Sequence, residues 1–278
     1  MIANTLTMPQ PDDVYYRQDD VVIFNQLARK IPMDGVSNDA YYAWLDEMTG
    51  SIGQIIPGAE IAEKPHAREA PPLNTAIYYD TPDRRILPTG ALLRTSCNKI
   101  THAFCAFKMA EDGGSVRKDH RYVFEGDEKR AIQTEPDGPA AVAIVTNLLR
   151  RSDIDHPGTF LEAAHGIRGI DLSPSIRLDS LRYTFFAWLD RQDVLRCSID
   201  RYEVQDLRIP ASERVRLPVV EVELAVYPRI GKAIARDRRA TALLAALSDS
   251  LCARFSTTVT REIKYQRAAH ALGIPLGG

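Results

Sequence analysis

The sequence predicts an α+β fold, a mainly antiparallel sheet interrupted by helices and followed by a helical tail. Three observations predict it. Short runs alternating in polarity with a period of two fill most of the stretch from Thr75 to Val226. Two helical stretches break into that series without the regular strand–helix alternation of a parallel doubly wound sheet. Leu243, Leu244, Leu247, Leu251 and Phe255 then recur at three- and four-residue spacing, which makes the tail an amphipathic helix.

Taken in order, the first 20 residues are polar, with Pro9, Pro11, Asp12, Asp13, Asp19 and Asp20, and read as a loose surface segment. Val21 to Phe24 reads as a strand. Ser37, Asn38 and Asp39 offer N-caps for a helix from Ala40 to Met48, closed by Gly50. Pro57, Pro65, Pro71 and Pro72 make the stretch up to Leu73 loop or sheet edge. Strands follow at Thr75 to Tyr79, Ala91 to Ser96, Ala103 to Met109 and Arg117 to Glu125, with Gly113-Gly114 as a hairpin turn. Asp137, Gly138 and Pro139 open an apolar helix from Ala140 to Arg150. Thr159 caps a shorter helix that stops at Gly166, with His165 in its last turn. Strands resume at Ile176 to Trp188, Val194 to Val204 and Val219 to Val226. One domain spans 1–278, with its core at about 21–228 and C-terminal helices at about 233–272.

The chain has 278 residues, 35 Lys plus Arg against 37 Asp plus Glu, and a formal net charge of −2. It is long enough to bury a core without disulfide staples. Near-neutral charge argues against a nucleic-acid coat or a binder of anionic membranes, since both want a basic excess. A single basic pocket offset by acids elsewhere is compatible with it. No apolar run approaches a membrane span, and the N-terminus carries no basic-then-apolar signal pattern. Cys97, Cys105, Cys197 and Cys252 are widely spaced, as expected of reduced, mostly buried thiols in a cytoplasmic protein. The six histidines show no zinc spacing, and no Walker loop, Gly-x-Gly-x-x-Gly or Gly-x-Ser-x-Gly occurs. The Arg229 to Arg239 cluster is read as a solvated helix start rather than an RNA contact.

The strand faces carry the functional signal. Glu221 and Glu223 share one face, with Val222, Leu224 and Val226 on the other. Arg196, Ser198 and Asp200 alternate with Cys197 and Ile199. Ala106 and Lys108 oppose Cys105 and Phe107, while Arg94 and Ser96 oppose Leu93. Arg117, Asp119, Arg121 and Glu125 fall on one side. An open sheet with a solvated face explains this pattern. So does a closed sheet with helices on its apolar outside and charges within. Periodicity alone leaves both open.

A resemblance decides between them. Tyr78-Tyr79-Asp80-Thr81-Pro82-Asp83, followed by Ile86-Leu87, Gly90 and Leu92-Leu93-Arg94, resembles a segment of the CYTH, or triphosphate tunnel metalloenzyme, superfamily. In the family's order, Phe104 to Lys108 looks like the strand ending in a tunnel lysine, and Arg117-Lys118-Asp119 like its Arg-x-Glu strand. Cys197 to Asp200 looks like the strand carrying an aspartate, and Glu221-Val222-Glu223 like its late Glu-x-Glu. Two departures stand out. The opening Glu-x-Glu-x-Lys is here Gln26-Leu27-Ala28-Arg29-Lys30, which keeps the lysine and loses both acids. Ser96 replaces a second arginine after Leu93-Arg94.

The resemblance implies a closed antiparallel β-barrel of about eight strands with packed helices. It implies phosphate binding by Lys30, Arg94, Lys108, Arg117 and Arg182, and a Mg²⁺ or Mn²⁺ ion held by Glu221, Glu223 and Asp200. Glu221, Glu223 and Lys108 would then be the catalytic groups. The implied activity is metal-dependent phosphohydrolysis of a triphosphate-bearing small molecule: inorganic triphosphate, a nucleoside triphosphate or thiamine triphosphate. Phosphoryl transfer needs positioning and charge neutralisation, which such a residue set supplies. A nucleotide cyclase of the same fold, and a non-hydrolytic polyanion- or nucleotide-binding module that lost half its metal site, are the alternatives. Asp80 and Thr81 read as structural turn residues. The oligomeric state is left open between monomer and homodimer.

Overall fold

The computed structural model describes residues 16–18, 21–63, 67–111, 116–226 and 238–276. The strands are β1 (Tyr16–Gln18), β2 (Val21–Pro32), β3 (Ala59–Glu63), β4 (Leu73–Asp80), β5 (Leu92–Asn98), β6 (Ala103–Glu111), β7 (Val116–Val123), β8 (Ser173–Leu189), β9 (Gln192–Asp206) and β10 (Leu217–Val226). The helices are α1 (Asn38–Ile55), α2 (Gly126–Thr134), α3 (Pro139–Leu149), α4 (Pro157–His165), α5 (Arg238–Phe255) and α6 (Lys264–Ala271). Eight strands form a ring in the order β2-β10-β9-β8-β4-β5-β6-β7. It closes on β2, whose residues 21–27 pair with β7 and residues 28–32 with β10. Every pairing is antiparallel, and β1 and β3 are appended to β2 and β8. This is the closed α+β barrel that the resemblance implied.

Helices cover the outside of the ring because one face of each strand is apolar. Ile31, Phe185, Cys197, Ile199, Val222 and Leu224 pack against α1 and α5 through Trp44, Leu45, Ile52, Leu243, Leu247 and Leu251. On the other side Ile77, Leu93, Cys105 and Phe107 pack against Ile132, Val145 and Leu161 of α2, α3 and α4. The third cluster lies within the ring. Ala76, Tyr78, Leu92, Leu178, Tyr202 and Val219 point inward and meet Tyr265, Ala268 and Ala269 of α6, so this last helix stops one end of the barrel. Among the described residues no helix is long and apolar enough to cross a membrane.

Several local expectations shift. The first helix runs on to Ile55 through Gly50, because Met48 and Ile52 continue its buried stripe and outweigh the roughly 1 kcal/mol that a helical glycine costs. Helix α2 was not anticipated; it is polar apart from the buried Ile132. It places Glu125 at its N-cap, past the end of β7 and off the charged strand face. The cap of α4 is His156, whose ring accepts from the Gly158 N–H, while Thr159 sits inside the helix and closes the capping box. Burial holds the His165 imidazole below its ordinary pKa, so it is no cation for the helix dipole. Gly166 ends the helix at φ +64° with no atom within 4 Å of an added Cβ. Gly166→Ala should therefore cost only the backbone penalty, about 1 kcal/mol by chemical denaturation. The Gly113-Gly114 turn and most of the Arg229 to Arg239 cluster lie outside the described residues.

Candidate functional site

Residues directly opposed across neighbouring strands share a face. Lys30 opposes Glu223, Glu221 opposes Asp200, and Asp200 opposes Arg182. On the far wall Tyr78 opposes Arg94, Arg94 opposes Ala106, and Lys108 opposes Asp119. All lie opposite the apolar face packed on the helices, so the ring lumen is lined with charge. The sequence-derived residues Glu221, Glu223, Asp200, Lys30, Arg182, Arg94 and Lys108 are thus brought into one lumen. Arg117 pairs with Gln26 along β7; the side chains of both lie outside the described residues. Arg177 falls on the outer face, bound to Asp137 and Asp179.

Two charged clusters result. In the first, the Asp200 carboxylate is completely buried and accepts both Arg182 Nε at 2.6 Å and Arg182 Nη2 at 2.8 Å, and it also contacts Lys264 Nζ of α6. Burial works against ionisation, but Arg182 and Lys264 together hold its pKa at about 2. The Arg182 guanidinium is correspondingly pushed up: burial opposes its charge, and Asp200 outweighs it. Glu221, also completely buried, is ringed by Lys30 Nζ at 3.8 Å, Lys264 Nζ at 3.8 Å and Arg267 Nε at 3.5 Å. Glu223 lies 4.0 Å from Arg182.

The second cluster lies on β5, β6 and β7. Lys108 Nζ meets Asp119 at 2.5 Å, and Arg121 Nη2 reaches the same carboxylate at 2.8 Å. Burial pushes the Lys108 ammonium down to about 8; Asp119 pulls the other way, and Arg121 and Arg94 add to the fall. For Asp119 burial raises and the two cations lower, leaving it at about 2. Arg94 differs from its neighbours. Its Nε is buried without a hydrogen-bond partner, and no carboxylate pairs with its guanidinium among the described residues. It lies 6.0 Å from the Tyr78 ring centroid. The imidazole of His102, on the β5–β6 connection, is held down to about 4 by burial and then by Arg121, Arg94, Arg182 and Lys129. One histidine thus feels three lumen arginines at once, which marks this part of the lumen as electropositive.

A divalent ion at Asp200, Glu221 and Glu223 was tested against this geometry. Both Asp200 oxygens are already engaged by Arg182 and Lys264, and three cations ring Glu221. Among the described residues no group of three His, Cys, Asp or Glu is arranged to hold a metal ion. The carboxylates assigned to Mg²⁺ or Mn²⁺ do come together, but as arranged they do not fit a dication: Arg182 and Lys264 already hold Asp200, and Glu221, whose two oxygens accept no hydrogen bond, has Lys30, Lys264 and Arg267 within 3.5–3.8 Å.

Sequence reasoning passed over four groups that the lumen uses. Arg121 was legible as a face-mate of Asp119. Lys264 and Arg267 have the three-residue spacing that puts both on one helix side, but they lie beyond Glu221-Val222-Glu223, the last segment of the resemblance. Tyr265, between them, donates to Asp80 at 2.8 Å and stacks on Tyr78 at 4.8 Å. Asp80 also accepts the N–H groups of Thr81, Ile86 and Leu87, which confirms it as the organiser of its turn.

No protein-family model matches this sequence, and no curated protein is similar to it. Among solved structures it is similar to a candidate adenylate cyclase from Bacillus halodurans, with 13% identity, a TM-score of 0.49, and 88% of this chain and 97% of that one covered. It is similar to a candidate adenylyl cyclase from Hippeastrum described as having a dominant triphosphatase activity, with 14% identity, a TM-score of 0.47, and 91% and 98% covered. A third is the PH1819 protein from Pyrococcus horikoshii OT3, with 13% identity, a TM-score of 0.45, and 88% and 98% covered. At such identities and scores these likenesses assign no activity.

Proposed function

We propose that this chain is a divergent tunnel protein of the CYTH type that binds the triphosphate group of a small molecule in its lumen. Arg94 carries the reading. A lumen arginine without a carboxylate, beside a lysine whose ammonium is destabilised by burial and by two neighbouring arginines, is a site short of negative charge. A polyphosphate supplies it. Arg94, Lys108 and Arg121 would clamp the phosphates, with Lys30 and Arg182 on the facing wall.

Binding takes precedence over metal-dependent hydrolysis here because Arg182 and Lys264 already hold Asp200, and three cations stand within 3.8 Å of Glu221. The experiment pairs two measurements on the full chain. Calorimetry and thermal shift with tripolyphosphate, ATP, GTP and thiamine triphosphate should show saturable binding and a raised melting temperature. Phosphate release from the same panel with Mg²⁺ or Mn²⁺ should be absent. Metal-dependent release would return the phosphohydrolase reading, cyclic nucleotide the cyclase reading, and no binding at all would sink the tunnel-ligand proposal.

The Lys108 pKa sets a pH signature. Phosphate oxygens favour the ammonium form, so binding raises a pKa that starts near 8. Below 8 the lysine is already charged and binding is insensitive to it. Above 8 binding must take up a proton, and affinity should fall by up to about tenfold per pH unit. Lys108→Met removes that component, so the parent-to-variant affinity ratio should shrink as pH rises from 7 to 10. A ratio independent of pH would exclude Lys108 as a phosphate ligand.

A further inference from the structure

The last helix brings charge to the carboxylate cluster against its own electrostatics. Lys264 occupies the first turn of α6, with Ile263 as N-cap, and Arg267 lies one turn on. Cations are disfavoured at a helix N-terminus, where the unpaired N–H groups already present positive charge. Both side chains are nevertheless buried, at 8% and 9% exposure. An ammonium in that position is retained only if buried carboxylates compensate it. They do: Lys264 Nζ contacts Asp200 and lies 3.8 Å from Glu221, so one ammonium bridges both acids.

The helix cannot shift freely away from this position. Tyr265 bonds Asp80 and Ser175, Gln266 Nε2 donates to the Leu87 carbonyl, and Arg267 bonds Asp34 at 2.9 Å. Lys264 is thus fixed from both sides, as a resident ligand of the cluster. The sequence agrees with the charge count. Gln26 and Ala28 stand where the resembled motif has acids, so two negative charges that would call for a dication are missing.

We propose that Lys264 is a built-in counter-cation that takes the place of a divalent ion between Asp200 and Glu221. The proposal does not rest on triphosphate binding, because its probe is metal alone. Removing the ammonium leaves two buried carboxylates facing one vacated position, with Lys30, Arg182 and Arg267 around them. A divalent cation can then enter on Glu221, whose two oxygens accept no hydrogen bond, and on the share of Asp200 Oδ2 that Lys264 releases, with retained waters completing its shell.

The test titrates Mn²⁺, followed by electron paramagnetic resonance and calorimetry, into the parent, Lys264→Met and Lys264→Arg, each with and without Glu221→Gln. The parent and Lys264→Arg should bind no Mn²⁺ in the lumen. Lys264→Met should gain one ion per chain, and Lys264→Met/Glu221→Gln should lose it again. Circular dichroism and melting curves establish which variants are folded. A parent that binds one Mn²⁺, with Glu221→Gln abolishing it, overturns the proposal whatever Lys264→Met does. So does a folded Lys264→Met that gains no ion. Should Lys264→Met fail to fold, the decision passes to the parent and Lys264→Arg: the proposal stands if neither binds an ion that Glu221→Gln removes, and falls if either does.

Discussion

Arg94→Ala and Lys108→Ala should each weaken tripolyphosphate binding by roughly 10- to 100-fold, the equivalent of about 1.5–3 kcal/mol for a charge-assisted hydrogen bond shielded from water. The two variants should differ in what they do to the free protein. Arg94 has no carboxylate to abandon among the described residues, so its removal relieves repulsion with Lys108 and Arg121 and should leave stability unchanged or slightly raised. Lys108→Ala strips one of two cations from the buried Asp119, leaving Arg121 as its remaining partner, and should lower the melting temperature while it weakens binding. Loss of affinity with retained stability in Arg94→Ala is the signature of a ligand-binding arginine. A stability loss with unchanged affinity would make Arg94 a structural residue stacked near Tyr78, and the ligand site would have to be sought elsewhere.

The fold was legible in the sequence to the extent that one face of each strand was coherent. Val222 and Leu224 against Glu221 and Glu223, and Phe107 against Lys108, told which residues separate, because a two-residue period leaves no third option. Whether the charged face met water or a lumen was not legible from periodicity, since both give the same alternation. That choice came from the Tyr78–Arg94 segment and its resemblance. The strand that closes the ring was read too short, as Val21 to Phe24, because Gln26, Ala28 and Lys30 lower its apparent β character; a lumen tolerates small and charged residues where a packed sheet would not. Helix α2 was missed because a short polar helix with one buried residue has no stripe to detect. In the site, the positions on β5, β6, β9 and β10 were legible as faces, while the partners of each charge were not. Nothing local to Asp200 announces that a lysine 64 residues later will sit on it. The docking of α6 is a tertiary event, specified by Tyr265 reaching Asp80 across 185 positions.

Asp200→Asn should be the most destabilising single exchange in the lumen, costing about 3–5 kcal/mol in chemical denaturation. The substitution keeps the shape and removes only charge, so no cavity term enters. What it leaves is Arg182 and Lys264 buried together without their common carboxylate, with Glu221 and Glu223 at 3.8 and 4.0 Å as the remaining acids in reach. Acid titration separates this from a packing effect. In the parent the Asp200 pKa lies at about 2, below the ordinary carboxylate value of 3.8. A depressed carboxyl contributes stability that is fully present above the unfolded-state pKa and is lost as pH falls through the folded one. The parent should therefore lose stability between about pH 4 and pH 2, and Asp200→Asn should lose less over that window, so the two curves converge toward acid. A polyanion should also rescue the variant: phosphate oxygens replace the missing charge beside Arg182, so tripolyphosphate should raise its melting temperature more than the parent's. A variant within 1 kcal/mol of the parent at neutral pH, with parallel acid curves, would mean that Arg182 and Lys264 do not depend on Asp200. The cluster would then be an incidental surface of the barrel wall and no organised charge network.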